Sequence, residues 1–277
     1  MHPTVVEAEG YSLHIRCVAG IESCCYVNSI DVAFDLGCIM GRVVNKSHIF
    51  ITHGHIDHIG AIVIHAARRV LLKLAPAHYY VLASIVPHLK NLFESSAEMQ
   101  DGPLPATIVP LQAFDEVHIS AKYVVRAVPT KHRVPSLGFI LYEKKNRLKP
   151  EYKQFLSADI AALKRAGHEI TNCELTPEVA YTGDTTIEVF TAASDDDRSK
   201  DLLYVRATYV DSKMTVDDAI ARGHTHLDQL AAHHQLFQNV GTLVLVHFSP
   251  RYQAKELIKC IQARLPPTLQ HKTILGC

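Results

Sequence analysis

Between Ile49 and Ala61 the chain reads I-F-I-T-H-G-H-I-D-H-I-G-A, so His53, His55, Asp57 and His58 fall within six positions directly behind an apolar, β-branched run. Four polar side chains leaving a strand with the look of a buried one are costly unless something binds them. Neutral imidazole and carboxylate are the donors that zinc and similar borderline divalent ions take. If the strand continues, residues 53, 55 and 57 project to one side and His58 to another. That arrangement suits two ions held side by side. An exposed polar loop is the plainer reading, and the density of donors tells against it.

A dinuclear site with about four ligands per ion needs donors from elsewhere in the chain. Three stand at the ends of β-type runs: His132 after Y-V-V-R-A-V-P-T-K, Asp184 in V-A-Y-T-G-D-T-T, and His247 after T-L-V-L-V. Singly each is weak, since a lone histidine is usually a surface residue and an aspartate beside Gly183 suits a turn. Together with the cluster they describe several strand ends delivering ligands to one edge, which makes a rigid site. Other candidates have simpler explanations. Ser249 lacks the glycines of a nucleophile elbow. His233 and His234 fall within an amphipathic helical pattern, where adjacent side chains diverge by about 100°. The vicinal pair Cys24–Cys25 reads as buried strand.

The elements that must position these residues follow from the apolar pattern. Short β-type runs, S-L-H-I-R-C-V-A-G, C-C-Y-V-N-S and I-D-V-A-F-D-L-G, fill the first third, divided by Gly, Asn and Ser. H-I-F-I-T-H is another and ends in the cluster. The spacing predicts a helix over 59–74, a strand over 78–84 and a helix from Val86 to Met99. Pro and Gly interrupt the pattern in D-G-P-L-P-A-T-I-V-P, after which strands resume in E-V-H-I-S, K-Y-V-V-R-A-V-P-T-K-H and L-G-F-I-L-Y-E-K. Residues 143–169 are polar and Lys-rich, with one helix in S-A-D-I-A-A-L-K-R-A-G that ends at Gly167. Strands E-V-A-Y-T-G-D and L-L-Y-V-R-A-T-Y-V flank an acidic loop, S-D-D-D-R-S-K-D. The chain closes with a helix over 225–238, a strand over 242–249 and a helix over 254–265. Strands first, then strand–helix alternation, imply two packed β-sheets with helices on their outer faces.

Bulk composition agrees with a large folded unit. Of 277 residues 48% are apolar and 20% charged, enough apolar material for a sizeable core. Formal net charge is zero, so attraction to a polyanion has to come from local patches. Eighteen histidines are many for a side chain that is the commonest transition-metal ligand. Seven cysteines form no C-x-x-C pair, and M-H-P-T-V-V-E-A-E-G-Y-S has neither a basic start nor an apolar core, so reduced thiols in an intracellular setting are expected. No apolar run approaches membrane-spanning length.

H-x-H-x-D-H followed by separate His, Gly-Asp-Thr and late His blocks resembles the metallo-β-lactamase superfamily. Within it the chain is similar to ribonuclease Z, the tRNA 3′-processing endonucleases, in their short, plant-type form. I-T-H-G-H-I-D-H-I-G-A, T-P-E-V-A-Y-T-G-D-T-T, G-H-T-H-L-D-Q and L-V-L-V-H-F-S-P-R-Y carry the similarity, which extends over nearly the whole length. The last block is the most family-specific, whereas the first alone indicates only the superfamily.

This resemblance implies an αββα sandwich of two mixed β-sheets with outer helices, as one domain over residues 1–277. It assigns His53, His55 and His132 to one zinc, Asp57, His58 and His247 to a second, and Asp184 as the bridge, giving two Zn²⁺ per chain or another divalent ion such as Mn²⁺. Asp57 would also be the general base, and His224 in G-H-T-H-L-D-Q the proton donor to the leaving oxygen. His226 is the alternative acid, and its plainer reading as a helix-start residue is preferred. The implied reaction removes the 3′ trailer of precursor tRNA, in a homodimer with no membrane association, in cytoplasm or nucleus. Cleavage that leaves a 3′-hydroxyl needs its oxygen protonated, for which a positioned acid contributes roughly 10²–10⁴-fold.

The chain departs from its apparent family in three places. Arg206 in V-R-A-T-Y stands where the family carries the Glu that orients the catalytic histidine, and an arginine there disfavours imidazolium. Reduced activity, substitution by a carboxylate such as Asp211, and direct contact of Arg206 with a substrate phosphate all remain open. Reduced activity would leave a tRNA- or protein-binding module, and a small-molecule phosphodiesterase is a third possibility. The family's Pro-x-Lys-x-Arg-Asn loop, linked to the CCA end, is replaced by V-A-G-I-E-S-C-C-Y-V-N-S. The stretch between His132 and Asp184 is short for a long tRNA-gripping arm. Lys144, Lys145, Arg147, Lys149, Lys153, Lys164 and Arg165 there suit either phosphate tracking or a solvated surface. Arg251 and Tyr252, beside the last ligand block, are better placed to meet an RNA backbone.

Overall fold

The computed structural model describes residues 3–192, 202–206 and 208–276. The first sheet takes its strands in chain order: β1 (Thr4–Ala8), β2 (Tyr11–Val18), β3 (Glu22–Val27), β4 (Val32–Phe34), β5 (His48–Phe50), β6 (His78–Leu82) and β7 (Thr107–Leu111). The second holds β8 (Glu116–His118), β9 (Tyr123–Pro129), β10 (Leu137–Leu148), β11 (Thr171–Tyr181), β12 (Leu202–Arg206), β13 (Thr242–Val246) and β14 (Thr273–Leu275), again side by side in order. Each sheet begins as a four-stranded antiparallel meander and continues as parallel strands, β4 to β7 and β11 to β14.

Helices α1 (Ile56–Ile59), α2 (Ile62–Leu71) and α3 (Val86–Met99) belong to the first half of the chain. The second half carries α4 (Ser157–Arg165), α5 (Glu188–Ala192), α6 (Val216–Ala221), α7 (Leu227–Ala232), α8 (Ala254–Arg264) and α9 (Pro267–Gln270). Three apolar layers result. Phe34, Phe50, Phe139, Tyr181 and Ile15 fill the space between the sheets. Ile62, Ala66, Leu89 and Phe93 cover the outside of the first sheet against Tyr79 and Ile49. Leu227, Leu230, Phe237, Leu257 and Ile261 cover the second against Leu243 and Leu245. The expected αββα sandwich of two mixed sheets is therefore the observed architecture. Strand chemistry follows from it: β2, covered on one face, alternates buried and half-buried residues, while β13, covered on both, is buried throughout. Among the described residues no helix is long and apolar enough to cross a membrane.

Several expected boundaries move. The helix predicted over 59–74 is α2 alone, and a separate helix, α1, precedes it, so Asp57 and His58 lie on a short helix and not on an extended strand. The interruption at residues 101–110 contains β7, which tolerates Pro110 because it is the sheet edge. The closing helix over 225–238 is only α7, followed by a tight 3₁₀ turn from His234 to Phe237. The largest difference is in the polar stretch. β10 runs on to Leu148 and β11 begins at Thr171, and the two pair from Leu148↔Thr171 to Phe139↔Tyr181. They make a two-stranded arm with α4 in the segment that joins them, leaving the sandwich at a register shift between Leu141 and Tyr142. The expected acidic loop, residues 194–201, lies outside the described residues.

Candidate metal centre

The strands end where the donors begin. His53 and His55 follow β5, and Asp57 and His58 occupy α1 immediately after. His132 follows β9, Asp184 follows β11, His247 follows β13 and His224 follows α6. All of these converge at one edge of the sandwich. Ligand atoms of His53, His55, His132 and Asp184 lie within 4.8 Å of one another; so do those of Asp57, His58 and His247, and those of Asp184, His224 and His247. Asp57 therefore groups with His58 and not with His53 and His55, because the helical turn of α1 replaces strand alternation.

Asp184 is shared by the first and third sets and also lies against His58 and His247 of the second. Its Oδ2 is 3.4 Å from His58 Nε2 and 3.9 Å from His53 Nε2, His132 Nε2 and His224 Nδ1, and its Oδ1 is 3.4 Å from His247 Nδ1. Asp57 Oδ2 lies 3.5 Å from both His58 Nε2 and His247 Nε2. His55 Nδ1 is 3.0 Å from His53 Nε2 and 3.4 Å from His132 Nε2. Two donors each about 2.1 Å from a tetrahedral ion stand about 3.4 Å apart, so these spacings fit divalent ions among nitrogen and oxygen ligands.

The surrounding hydrogen bonds point ring nitrogens into the site. His132 Nδ1 donates to the Gly223 carbonyl at 2.8 Å, and His58 Nδ1 donates to Asp35 Oδ2 at 2.8 Å. The Thr52 hydroxyl donates to Asp35 and accepts from His53 Nδ1 at 3.0 Å. Each contact leaves Nε2 with its lone pair toward the site. Asp35, fully buried, also accepts from the Thr52 amide and the Tyr181 hydroxyl, both at 2.8 Å. Thr208 Oγ1 lies 3.1 Å from His247 Nδ1, and the Gly20 amide donates to Asp57 Oδ2 at 3.0 Å. Burial, and then the neighbouring His58, hold the His53 imidazole well below its ordinary range, and burial lowers His132. Both are kept neutral, the form that ligates. Burial pushes the Asp57 carboxyl up, but the His247 hydrogen bond and the charge of His58 outweigh it and bring it to about 2.

Two glycines make room. A Cβ on Gly37 would lie 1.7 Å from the Asp57 carbonyl oxygen. Gly223, at φ +73, would place one 2.4 Å from His132 Nδ1. His247 itself adopts φ 65, an uncommon conformation for a non-glycine residue that turns its ring back over the site.

Residues 41–248 match the family model for the beta-lactamase superfamily domain. The chain is 35% identical to tRNase Z TRZ1 of Arabidopsis thaliana, over 96% of this chain and 94% of that one. It is 33% identical to the chloroplastic tRNase Z TRZ2 of the same plant, over 92% and 72%. The chain belongs to the tRNase Z family of the metallo-β-lactamase superfamily. The metallo-beta-lactamase fold protein YhfI of Bacillus subtilis superposes with a TM-score of 0.59 over 95% of both chains at 13% identity, which shows the shared fold.

Arg206 ends β12, in register with Val246 and so one residue short of the level of His247. Asp211, a possible replacement for the missing family Glu, is occupied elsewhere: its Oδ1 accepts from Arg251 at 2.9 Å and its backbone carbonyl contacts His226 Nε2 at 3.0 Å. Arg251 lies over the rings of Tyr252 (4.7 Å) and Tyr209 (5.8 Å), and Tyr209 in turn meets the ring of His224 at 6.0 Å. His226 is the N-cap of α7, accepting from the Asp228 amide. Cys24 and Cys25 are both buried in β3. Sequence reasoning missed Asp35, Thr52, Tyr181 and Thr208. Only Asp35 left a trace, an acid directly behind the apolar run V-A-F.

Proposed function

We propose that this chain is a metal-dependent endoribonuclease that removes the 3′ trailer of precursor tRNA. The observation that carries this reading is the meeting of two donor sets at Asp184, with His224 3.9 Å from the same carboxylate. Relatives named tRNase Z along nearly the whole chain support the substrate class. His53, His55 and His132 would hold one zinc ion, Asp57, His58 and His247 a second, with Asp184 bridging; Mn²⁺ suits the same ligands. When bound, such ions acidify a water and offset the charge that builds on phosphate oxygens.

The chain's own residues supply the rest. Asp57, ionised above about pH 2, accepts a proton from the attacking water. His224 donates a proton to the leaving 3′-oxygen. Arg251, exposed beside Tyr252, and Arg206 at the end of β12 suit contacts with the RNA backbone. On the arm, Lys145 is paired with Glu178 at 2.6 Å and Arg147 with Glu174 at 2.8 Å. Lys153, Lys164 and Arg165 are exposed and are the cations of this stretch best suited to phosphates. We take the chain as a single domain that works as a homodimer in cytoplasm or nucleus.

Arg206 at the family's Glu position favours a second reading, a binding module with weakened cleavage. The deciding experiment measures metal content, then offers a tRNA with a 3′ trailer and bis(p-nitrophenyl) phosphate. About two equivalents of metal and trailer removal uphold the proposal. tRNA binding without cleavage upholds the module, and turnover of the small ester alone points to a phosphodiesterase. An Arg206→Glu variant much faster than the parent would locate the limit at proton transfer.

A further inference from the structure

Under Asp57 and His58 lies a pair of thiols that the reaction does not use. Cys24 is fully buried in β3, whereas solvent partly reaches Cys38, four residues beyond β4. The Gly37 amide donates to the Ser23 carbonyl at 2.8 Å, joining the two backbones one residue before each cysteine. Cys24 lies in the apolar layer outside the first sheet and Cys38 packs against that same layer. Arg16, whose Nε donates to Glu22 at 2.8 Å, lies within electrostatic reach of both sulfurs. The other described cysteines are differently placed: Cys17 and Cys25 pack between the sheets, Cys173 is exposed on the arm, and Cys260 is half-buried on α8.

The segment that carries Cys38 is also the floor of the site. Asp35 accepts from His58 Nδ1, the Leu36 amide donates to the His58 carbonyl at 2.6 Å, and Gly37 packs directly on the Asp57 carbonyl. We propose that Cys24 and Cys38 form an oxidisable dithiol, a disulfide modification site whose state sets how firmly Asp57 and His58 are held. The second half of this statement rests on the metal centre proposed above.

The chemistry is ordinary exchange with a small disulfide, RSSR. The Cys38 thiolate displaces one sulfur and releases RS⁻, forming Cys38–S–S–R. The Cys24 thiolate then displaces the second RS⁻, so the protein pair loses two electrons and two protons and two RSH result. The neighbouring Cys38 thiol and complete burial hold the Cys24 thiol well above the ordinary range, and the partly accessible Cys38 is therefore the first attacker. A disulfide needs the sulfurs about 2.05 Å apart, closer than any pair of free thiols. β3 is laddered to β2 and β4 on both sides, so residues 35–38 must move, which disturbs the contacts they make with Asp57 and His58.

The test treats the metal-loaded full chain with oxidised glutathione, maps disulfides by mass spectrometry without reduction, and measures metal release to a chromophoric chelator. A Cys24–Cys38 crosslink with roughly 10–100-fold weaker metal retention, the range for losing a ligand's outer partner, reversed by dithiothreitol and abolished in Cys38→Ser, upholds the proposal. Cys24→Ala should stop at a glutathione adduct on Cys38. Glutathione found only on Cys173 or Cys260, or a crosslink that leaves retention unchanged, overturns it. A crosslink in protein that never takes up metal upholds the dithiol and overturns the metal centre instead.

Discussion

Asp35 shows how much of a ligand site is set by residues that touch no ligand. Four of the five hydrogen bonds described for its carboxylate fix Thr52 and Tyr181, and the fifth fixes His58. Asp35→Asn should weaken metal binding roughly 10–100-fold, measured by chelator competition, with Tyr181→Phe producing a smaller loss in the same direction. His224→Ala should instead keep its metal and lose roughly 10²–10⁴-fold in trailer removal. If both losses appear together in His224→Ala, that residue is a ligand and not the acid. The H-x-H-x-D-H cluster was legible because four donors share six positions. Asp35 was not, since its partners Thr52, His58 and Tyr181 lie 17, 23 and 146 residues away and leave no spacing to read.

Among elements, the strand ends and the arm divide the labour. The segment after β4 is confined from above by α1, so Gly37→Ala should cost about 1–3 kcal/mol, the usual cost of forcing extra atoms into a filled space. Denaturant midpoints would read it, and an unchanged midpoint would contradict the close approach to Asp57. The arm makes the opposite expectation. Replacing residues 149–170 by a short Gly-Ser turn should leave hydrolysis of the small ester intact while weakening tRNA binding. The slope of log affinity against log salt should shrink by about 2, as three exposed cations are removed. The paired part of the arm was hidden in the sequence for a physical reason. A ribbon outside the sandwich faces solvent on both sides and therefore carries none of the apolar alternation that marks β2. Strands that meet the core, and α3 from Val86 to Met99, were readable because burial imposes their pattern.

For the whole molecule, acid stability has an identifiable contributor outside the site. His65, fully buried on α2, donates from Nε2 to the Val43 carbonyl and accepts from the Tyr79 hydroxyl at 2.8 Å. Burial lowers its pKa from 6.5 to about 4. Above pH 6.5 the imidazole is neutral in both states and stability is complete. As pH falls toward 4 only the unfolded chain takes up the proton, so stability declines by about 3 kcal/mol across that window. A His65→Gln variant should show correspondingly less loss of urea midpoint between pH 7 and pH 4.5, and an identical loss would refute the assignment. Finally, the two sheets repeat one strand order, and Asp184 from the second half sits against His53, His55 and His58 from the first. Neither half owns a complete set of donors, so an ion at that seam recognises only the fully docked pair. Tight ion capture is then indistinguishable from added folding free energy. Ethylenediaminetetraacetate would act on this chain as a denaturant, lowering its melting temperature by an amount that grows with the metal affinity it defeats.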